Sequence, residues 1–172
     1  FSTVIHQALG YWFRMKPVCK NWWYNEIGIP KTFGPAFLLL RMQMTPDELK
    51  EAVKVMDNAR FGMTGQNKVW LAGNVLVKGL LTDDYALVKA ARDTIISEIT
   101  TGREEGIKSD WSFHQHGPQQ QFGNYGLAYL GEMSFYSGLF AGTSFALNAE
   151  QQSILNNLLT EGYRWIIWRG YM

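Results

Sequence analysis

Cysteine is almost missing from this chain of 172 residues. Cys19 stands alone, so neither an internal disulfide nor a cysteine-rich metal site can form. The simplest reading of Cys19 is a small buried hydrophobe. Long apolar runs are missing too. The longest near the front is 36–40, well short of the roughly 20 residues a membrane-spanning helix needs, so no membrane partner is expected. Net charge is close to absent, at +1 from 16 basic and 15 acidic residues, which removes the general attraction to nucleic acid that a basic domain has. No segment alternates with period two over a useful length, so strands are not expected. No tight repeat, low-complexity tract or linker stands out. An initiating Met and a signal peptide are also lacking, and both ends run straight into patterned sequence. The chain is expected to be a piece of a longer polypeptide, amounting to one domain or most of one.

What is present is apolar and aromatic. Hydrophobic residues reach 47% and aromatics 15%, with seven Trp, enough for a real core. Most of these rings are expected to fill it. The periodicity is helical nearly throughout. A first helix is expected over 1–14, closed by Lys16-Pro17, and an aromatic, amide-rich segment over 21–29 is interrupted by Pro30. Phe33, Phe37, Leu40 and Met44 form an apolar stripe within 32–44. Thr45, Pro46 and Glu48 read as N-cap, N1 and N3 of the next helix, whose Leu49, Val53 and Met56 face one way. Helices follow over 67–81, after Thr82-Asp83-Asp84 (with Val88, Ala91, Ile95 and Ile99 inward), over 125–140, and after Asn148. The last is expected to bury Leu155, Leu158, Leu159, Gly162 and Ile166. The charges at 47–54 and 103–108 read as solvated faces or loops. Helices joined by short turns point to antiparallel hairpins, an all-α fold.

Residues 110–129 carry the most chemistry. They crowd His114, His116, Tyr125, Asp110 and several amides into a glycine-punctuated loop. Such loops more often serve function than packing. Histidine is a base near neutral pH, and tyrosine exchanges a proton once its surroundings shift its pKa. His114-x-His116 has no metal-typical third partner, since only Asp110 or the distant His6 is available, so no metal or other cofactor is expected. Taken alone, Asn67 reads as a helix N-cap, and Tyr125 as an aromatic at a helix start. Trp22 and Trp23, taken alone, read as half core and half surface. Glu26 most simply holds a neighbouring loop or helix end.

Three segments together resemble polysaccharide lyase family 8, in its chondroitin AC and hyaluronate lyase branch. Asn21-Trp22-Trp23-Tyr24-Asn25-Glu26-Ile27-Gly28-Ile29-Pro30 is similar to that family's NWWxxEIGxP signature. Thr64-Gly65-Gln66-Asn67-Lys68 resembles its TGxN turn. His116-Gly117-Pro118-Gln119, running to Asn124-Tyr125-Gly126, resembles its HG…YG segment. Arg169-Gly170-Tyr171-Met172 looks like the stretch leading to the family's catalytic arginine. Asn67 precedes His116 by 49 positions and Tyr125 follows by nine, which agrees with the family order.

The resemblance implies an incomplete α/α toroid, of which residues 1–172 would be a single helical fragment. The remaining toroid and C-terminal β-sandwich domains of its own polypeptide would then be its partners, and the protein would be secreted or periplasmic. The implied substrate is an anionic glycosaminoglycan, chondroitin or hyaluronan, with xanthan as a further candidate. Cleavage would be by β-elimination to a 4,5-unsaturated uronate. Asn67 would donate to the uronate carboxylate with His116 beside it, and Tyr125 would handle the proton. Either His116 or Tyr125 would be the base. Asn21, Trp22 and Trp23 would bind sugar. A free phenol has a pKa of about 10, so a tyrosine base needs a nearby cation, which the resemblance supplies as an arginine beyond Met172.

Two other functions fit the same helical chain. One is a sugar-binding relative without catalysis, keeping Trp22 and Trp23. The other is a helical-toroid glycosidase using two carboxylates such as Glu26 and Asp110, which would release saturated sugars. On the lyase reading, residues 1–172 by themselves are expected to be inactive or nearly so. An assay of this stretch for the ultraviolet-absorbing unsaturated product tests that, and detectable turnover would refute it.

Overall fold

The computed structural model describes residues 2–171. Phe1, where the first helix was expected to begin, and Met172, the last residue of the Arg169-Gly170-Tyr171-Met172 segment, lie outside the described residues. The chain divides into two compact units, Phe1–Phe61 with Trp70–Ala91, and Gly62–Val69 with Arg92–Met172.

The first unit is helical. α1 (Ser2–Met15) ends just before Pro17, as the Lys16-Pro17 pair predicts. α2 (Ile29–Leu40) and α3 (Pro46–Met56) follow, with α3 opened by the expected capping box. There the Glu48 N–H donates to Thr45 Oγ1 at 3.2 Å and the Thr45 N–H donates to Glu48 Oε2 at 2.8 Å. α4 (Gly65–Leu81) contributes its residues from Trp70 onward, and α5 (Tyr85–Ile96) begins where Asp84 Oδ1 accepts the Leu87 N–H at 2.9 Å. The core joins Leu9, Phe13, Phe37, Ala52, Met56 and Leu81. Phe33, Leu40, Met44, Leu49 and Val53 pack around it, so both predicted stripes point inward. His6 Nδ1 meets Glu48 Oε1 at 2.7 Å, a satisfied surface histidine.

Two expectations about this unit need correction. Pro30 does not interrupt the helix. A five-residue π-turn, Tyr24–Gly28, runs directly into α2, and Pro30 sits in the first turn of α2. A proline has no N–H to give the carbonyl four residues back. Here the buried Asn74 side chain donates Nδ2 to the Glu26 carbonyl at 3.4 Å and the Ile27 carbonyl at 3.1 Å. Cys19 is exposed rather than buried. Asn25 clamps its backbone, accepting the Cys19 N–H at 2.9 Å and donating to its carbonyl at 2.8 Å, which holds the segment at the surface.

The second unit contains two short strands that the sequence did not announce. β1 (Gly106–Ile107) and β2 (Phe113–His114) pair antiparallel, with Gly106 opposite His114 and Ile107 opposite Phe113. Two-residue strands are too short to show a period. A second π-turn, Phe122–Gly126, leads into α6 (Leu127–Phe140). α7 (Ala149–Asn157) starts at the expected Asn148 cap and passes into a third π-turn, Leu158–Gly162. That wider turn shifts the helical phase. Leu158 and Gly162 are buried as expected, Leu155 and Ile166 only partly, and Leu159 faces out. Fully buried Ile95, Ile107, Phe113, Tyr129, Met133 and Leu158 supply this unit's apolar interior.

Replacing Asn74 with Leu leaves the Glu26 and Ile27 carbonyls without their side-chain donor. Burying an unpaired polar group costs about 1–3 kcal/mol. Asn74→Leu is expected to lose that much stability in urea titration, and an unchanged midpoint would show that the amide does not hold the proline turn.

Candidate active site

The turn before α4 is built from left-handed residues, Met63 (φ 61°) and Gly65 (φ 57°). Only glycine fits at the second position. A Cβ there would collide with the side-chain amide of Gln115. The Gly65 N–H donates to Glu98 Oε2 at 3.0 Å. Glu98 is 2% exposed, and its other oxygen pairs with Lys68 Nζ at 2.8 Å and with Arg103 at 2.6 Å. Taking a carboxylate out of water is costly, and these donors offset that cost. The Tyr129 hydroxyl adds a bond to the Glu98 carbonyl at 2.8 Å.

Asn67 lies inside the first turn of α4 and is 6% exposed. Its Oδ1 is buried without a hydrogen-bond partner, so it does not cap the helix. Neighbouring side chains serve the first-turn donors instead: Glu98 takes the Gly65 N–H, and Gln115 Oε1 takes the Gln66 N–H at 2.8 Å. That second bond ties the residue before Asn67 to the residue before His116.

His116 follows β2 in a loop that reverses sharply. His116 (φ 59°) and Gly117 (φ 72°) are both left-handed, and a non-glycine residue there is strained by roughly 1–2 kcal/mol. The exposed His116 ring meets the Tyr125 ring edge-to-face, with centroids 4.9 Å apart and planes at 81°. Tyr125 rides on the second π-turn, anchored where the Gln121 N–H donates to the Phe113 carbonyl at 2.9 Å and the Gly126 N–H to the Gln121 carbonyl at 2.8 Å. The Tyr163 hydroxyl braces the same turn from the Phe122 carbonyl at 3.1 Å. A side chain on Gly126 would strike that hydroxyl. Burial pushes the phenols of Tyr129 and Tyr163 up from their ordinary value, so neither can serve as a proton carrier near neutrality. Tyr125 is only half-buried.

Glu105 links both segments. One carboxylate oxygen accepts from the Thr64 hydroxyl and from Gln115 Nε2, and the other accepts the Gly117 N–H at 2.8 Å. Burial works against its ionisation, but the Thr64 hydroxyl, the Gly117 and His116 N–H groups and the charge of His116 outweigh that and hold the carboxyl below its usual range. The charges at 103–108 are therefore not all solvated. Arg103 pairs with Glu98, and Glu105 is half-buried. Position within a polar loop carried no mark of this.

Asn21, Trp22 and Trp23 belong to the first unit. Asn21 Oδ1 accepts the Trp23 N–H at 3.0 Å, so that oxygen starts the helical turn. Trp22 is 42% exposed. Trp23 is half-buried, edge-on to Tyr24 at 5.3 Å and to Trp70 at 5.5 Å. Asp110 is occupied by Ser112, whose hydroxyl and N–H donate to Oδ1 at 2.7 and 3.0 Å and lower its pKa. No three His, Cys, Asp or Glu side chains among the described residues converge as a metal would require. Residues 168–171 form a tight turn with Arg169 and Gly170 both left-handed, closed by reciprocal Trp168–Tyr171 backbone bonds of 2.8 and 2.9 Å.

Sequence reasoning missed Glu98, Glu105, Gln115 and Gln66. Gln66 and Gln115 stood directly before Asn67 and His116, residues that had drawn attention, but adjacency gave no sign that the two would bond to each other.

Known proteins share this arrangement of sequence and fold. The sequence model of polysaccharide lyase family 8, N terminal alpha-helical domain, matches residues 2–172. The chain is 30% identical over 173 residues to chondroitinase-AC of Pedobacter heparinus, covering 98% of this chain and 25% of that protein. It is 28% identical over 158 residues to a xanthan lyase of a Bacillus species, covering 88% and 17%. A solved chondroitinase AC lyase, studied as enzyme–oligosaccharide complexes, superposes with a TM-score of 0.84 at 28% identity, over 91% of this chain and 24% of that one. The chain thus spans about a quarter or less of the length of these relatives, and the helical fold expected from the sequence is the fold it has.

Glu105 ionises more readily in the folded protein than its ordinary value of 4.5. It therefore contributes stability that is complete above about pH 4.5 and is lost as pH falls through the lower, folded-state value. Thermal melts taken downward from pH 5 should show Glu105→Gln with a flatter acid limb than the wild type. Parallel limbs would mean that the carboxylate is not engaged.

Proposed function

The chain belongs to polysaccharide lyase family 8, and from that premise we propose that its full-length protein cleaves a uronate-containing anionic polysaccharide by β-elimination. Chondroitin or hyaluronan is the favoured substrate, with xanthan next. The observation that carries this reading is the edge-to-face pair of His116 and Tyr125 at 4.9 Å, on a loop bonded to the Asn67 turn through Gln115 and Gln66.

The difficult step is removal of the proton on C5, next to the uronate carboxylate. While that carboxylate keeps its full charge, C5 is a very weak acid. Asn67 offsets the charge by donating an amide N–H, which stabilises the enolate-like state without adding a competing base. Tyr125 or His116 takes the C5 proton, the C4–O4 bond breaks, and a C4–C5 double bond forms. A proton then passes to the departing O4. Tyr125 can do both jobs if the proton and the leaving group share one face of the ring. The contact between the two rings supports a shared proton-handling role, because a half-buried phenol beside an exposed imidazole can reach both solvent and substrate.

Trp22 and Trp23 are the sugar platforms in this reading, since an indole face matches the apolar C–H face of a pyranose. A secreted or periplasmic location belongs to the same proposal, because polymers of this kind do not cross membranes unaided. The two-carboxylate glycosidase fits less well. Its acid needs a raised pKa, whereas the Ser112 hydrogen bonds lower that of Asp110.

Assay of the full-length protein on chondroitin, hyaluronan and xanthan should give an ultraviolet-absorbing unsaturated uronate from at least one. Tyr125→Phe should lower kcat by roughly 10²–10⁴ and Asn67→Ala by about 10²–10³, while Trp22→Ala chiefly raises KM. Saturated products, or full activity in Tyr125→Phe, would overturn the assignment.

A further inference from the structure

Glu105 takes no part in the bond changes just described, yet its carboxylate grips both segments that the reaction needs. We propose that Glu105 is a positioning residue, a single carboxylate that sets the spacing between the turn carrying Asn67 and the loop carrying His116. This rests on the lyase reading for its catalytic consequence, though not for its geometry.

The bonds form a closed circuit. Glu105 accepts from the Thr64 hydroxyl, three residues before Asn67, and from Gln115 Nε2, one residue before His116. It also accepts the N–H of Gly117, one residue after His116, at 2.8 Å. Gln115 completes the ring, taking the Gln66 N–H at 2.8 Å and giving Nε2 back to the Thr64 carbonyl at 3.4 Å. Asn67 and His116 each hang one bond outside this circuit. The circuit also explains how His116 tolerates φ 59°. The N–H of Gly117, the second of these two left-handed residues, is taken up by the Glu105 carboxylate at 2.8 Å, which pins the reversal at His116. Strained residues persist only where their surroundings over-determine them.

Charge sharpens the requirement. An unengaged carboxylate beside a site for anionic sugar would repel the ligand. With each oxygen accepting at least one donor, the charge of Glu105 is spent inside the protein. Glutamine cannot replace it. One end of its amide is an NH₂, which would face either the Gly117 N–H or the Gln115 Nε2 donor. Glu98 plays a different part, since its bonds go to Gly65, Lys68 and Arg103 and leave the His116 loop alone.

The test uses the full-length protein with Glu105→Gln, the milder Thr64→Val that cuts one arm only, and Glu104→Gln as an exposed neighbour. Two readouts are taken: amide hydrogen exchange at His116 and Gly117, and kcat and KM per folded molecule. Glu105→Gln should speed exchange at both amides at least tenfold and lower kcat roughly 10- to 100-fold with KM within about threefold, as expected when reacting groups are misplaced. Thr64→Val should show a smaller effect of the same kind, and Glu104→Gln none. Unchanged exchange would overturn the proposal outright. Faster exchange with wild-type kcat, or a rise in KM alone, would overturn the catalytic part. If the wild type gives no unsaturated product, the lyase reading fails by itself, and the exchange data still decide whether Glu105 holds the loop.

Discussion

A side-chain amide standing in for backbone is the constraint on which the second unit depends. Gln115 Oε1 accepts the Gln66 N–H at 2.8 Å, where an uncapped helix start would otherwise leave that donor buried and unpaired. The bond is available because Gly65 has no side chain in the space the amide fills. A carboxylate works on either side of it: Glu98 accepts the neighbouring Gly65 N–H at the helix start, and Glu105 accepts from Gln115 Nε2 on the loop. In a site of low dielectric these bonds strengthen one another, and losing one exposes the rest to a desolvation cost. The polar seam is therefore rigid, and Asn67 and His116 inherit that rigidity.

The helices are irregular where the chemistry-bearing segments lie. Among the described residues the widened turns fall at Tyr24–Gly28, Phe122–Gly126 and Leu158–Gly162. The first lies inside the tryptophan-rich signature and the second carries Tyr125. An extra residue in a helical turn costs hydrogen bonds, and such turns are found disproportionately at functional sites. In the first, Asn74 supplies the missing donors. In the second, the hydroxyl of the buried Tyr163 and a glycine contact do comparable work. These two distortions are each held by a side chain distant in sequence.

Much of this was legible beforehand. The capping signals at Thr45 and Asn148 were read correctly because their partners lie three residues away. The stripes through Phe37 and Met56 were read correctly because helical period is a local property. The contact of His116 with Tyr125 was foreshadowed by their crowding into one loop. Pro30, Cys19 and Leu159 were misread for one reason. Each is decided by a group or a turn that a local pattern does not contain: the amide of Asn74, the amide of Asn25 and the phase shift of a π-turn.

The sequence alone determined that the chain is helical, that its polar residues gather in a few segments, and to which family those segments are similar. Caps and stripes act over three or four residues, and a signature is a string. Tertiary structure decided which donors meet Glu98 and Glu105, why His116 can be left-handed, and which of the tyrosines at 125, 129 and 163 is not sealed in the interior. Those outcomes depend on groups from 5 to 41 positions apart being brought within 3 Å or so, and a hydrogen bond between loops leaves no periodic trace in the chain.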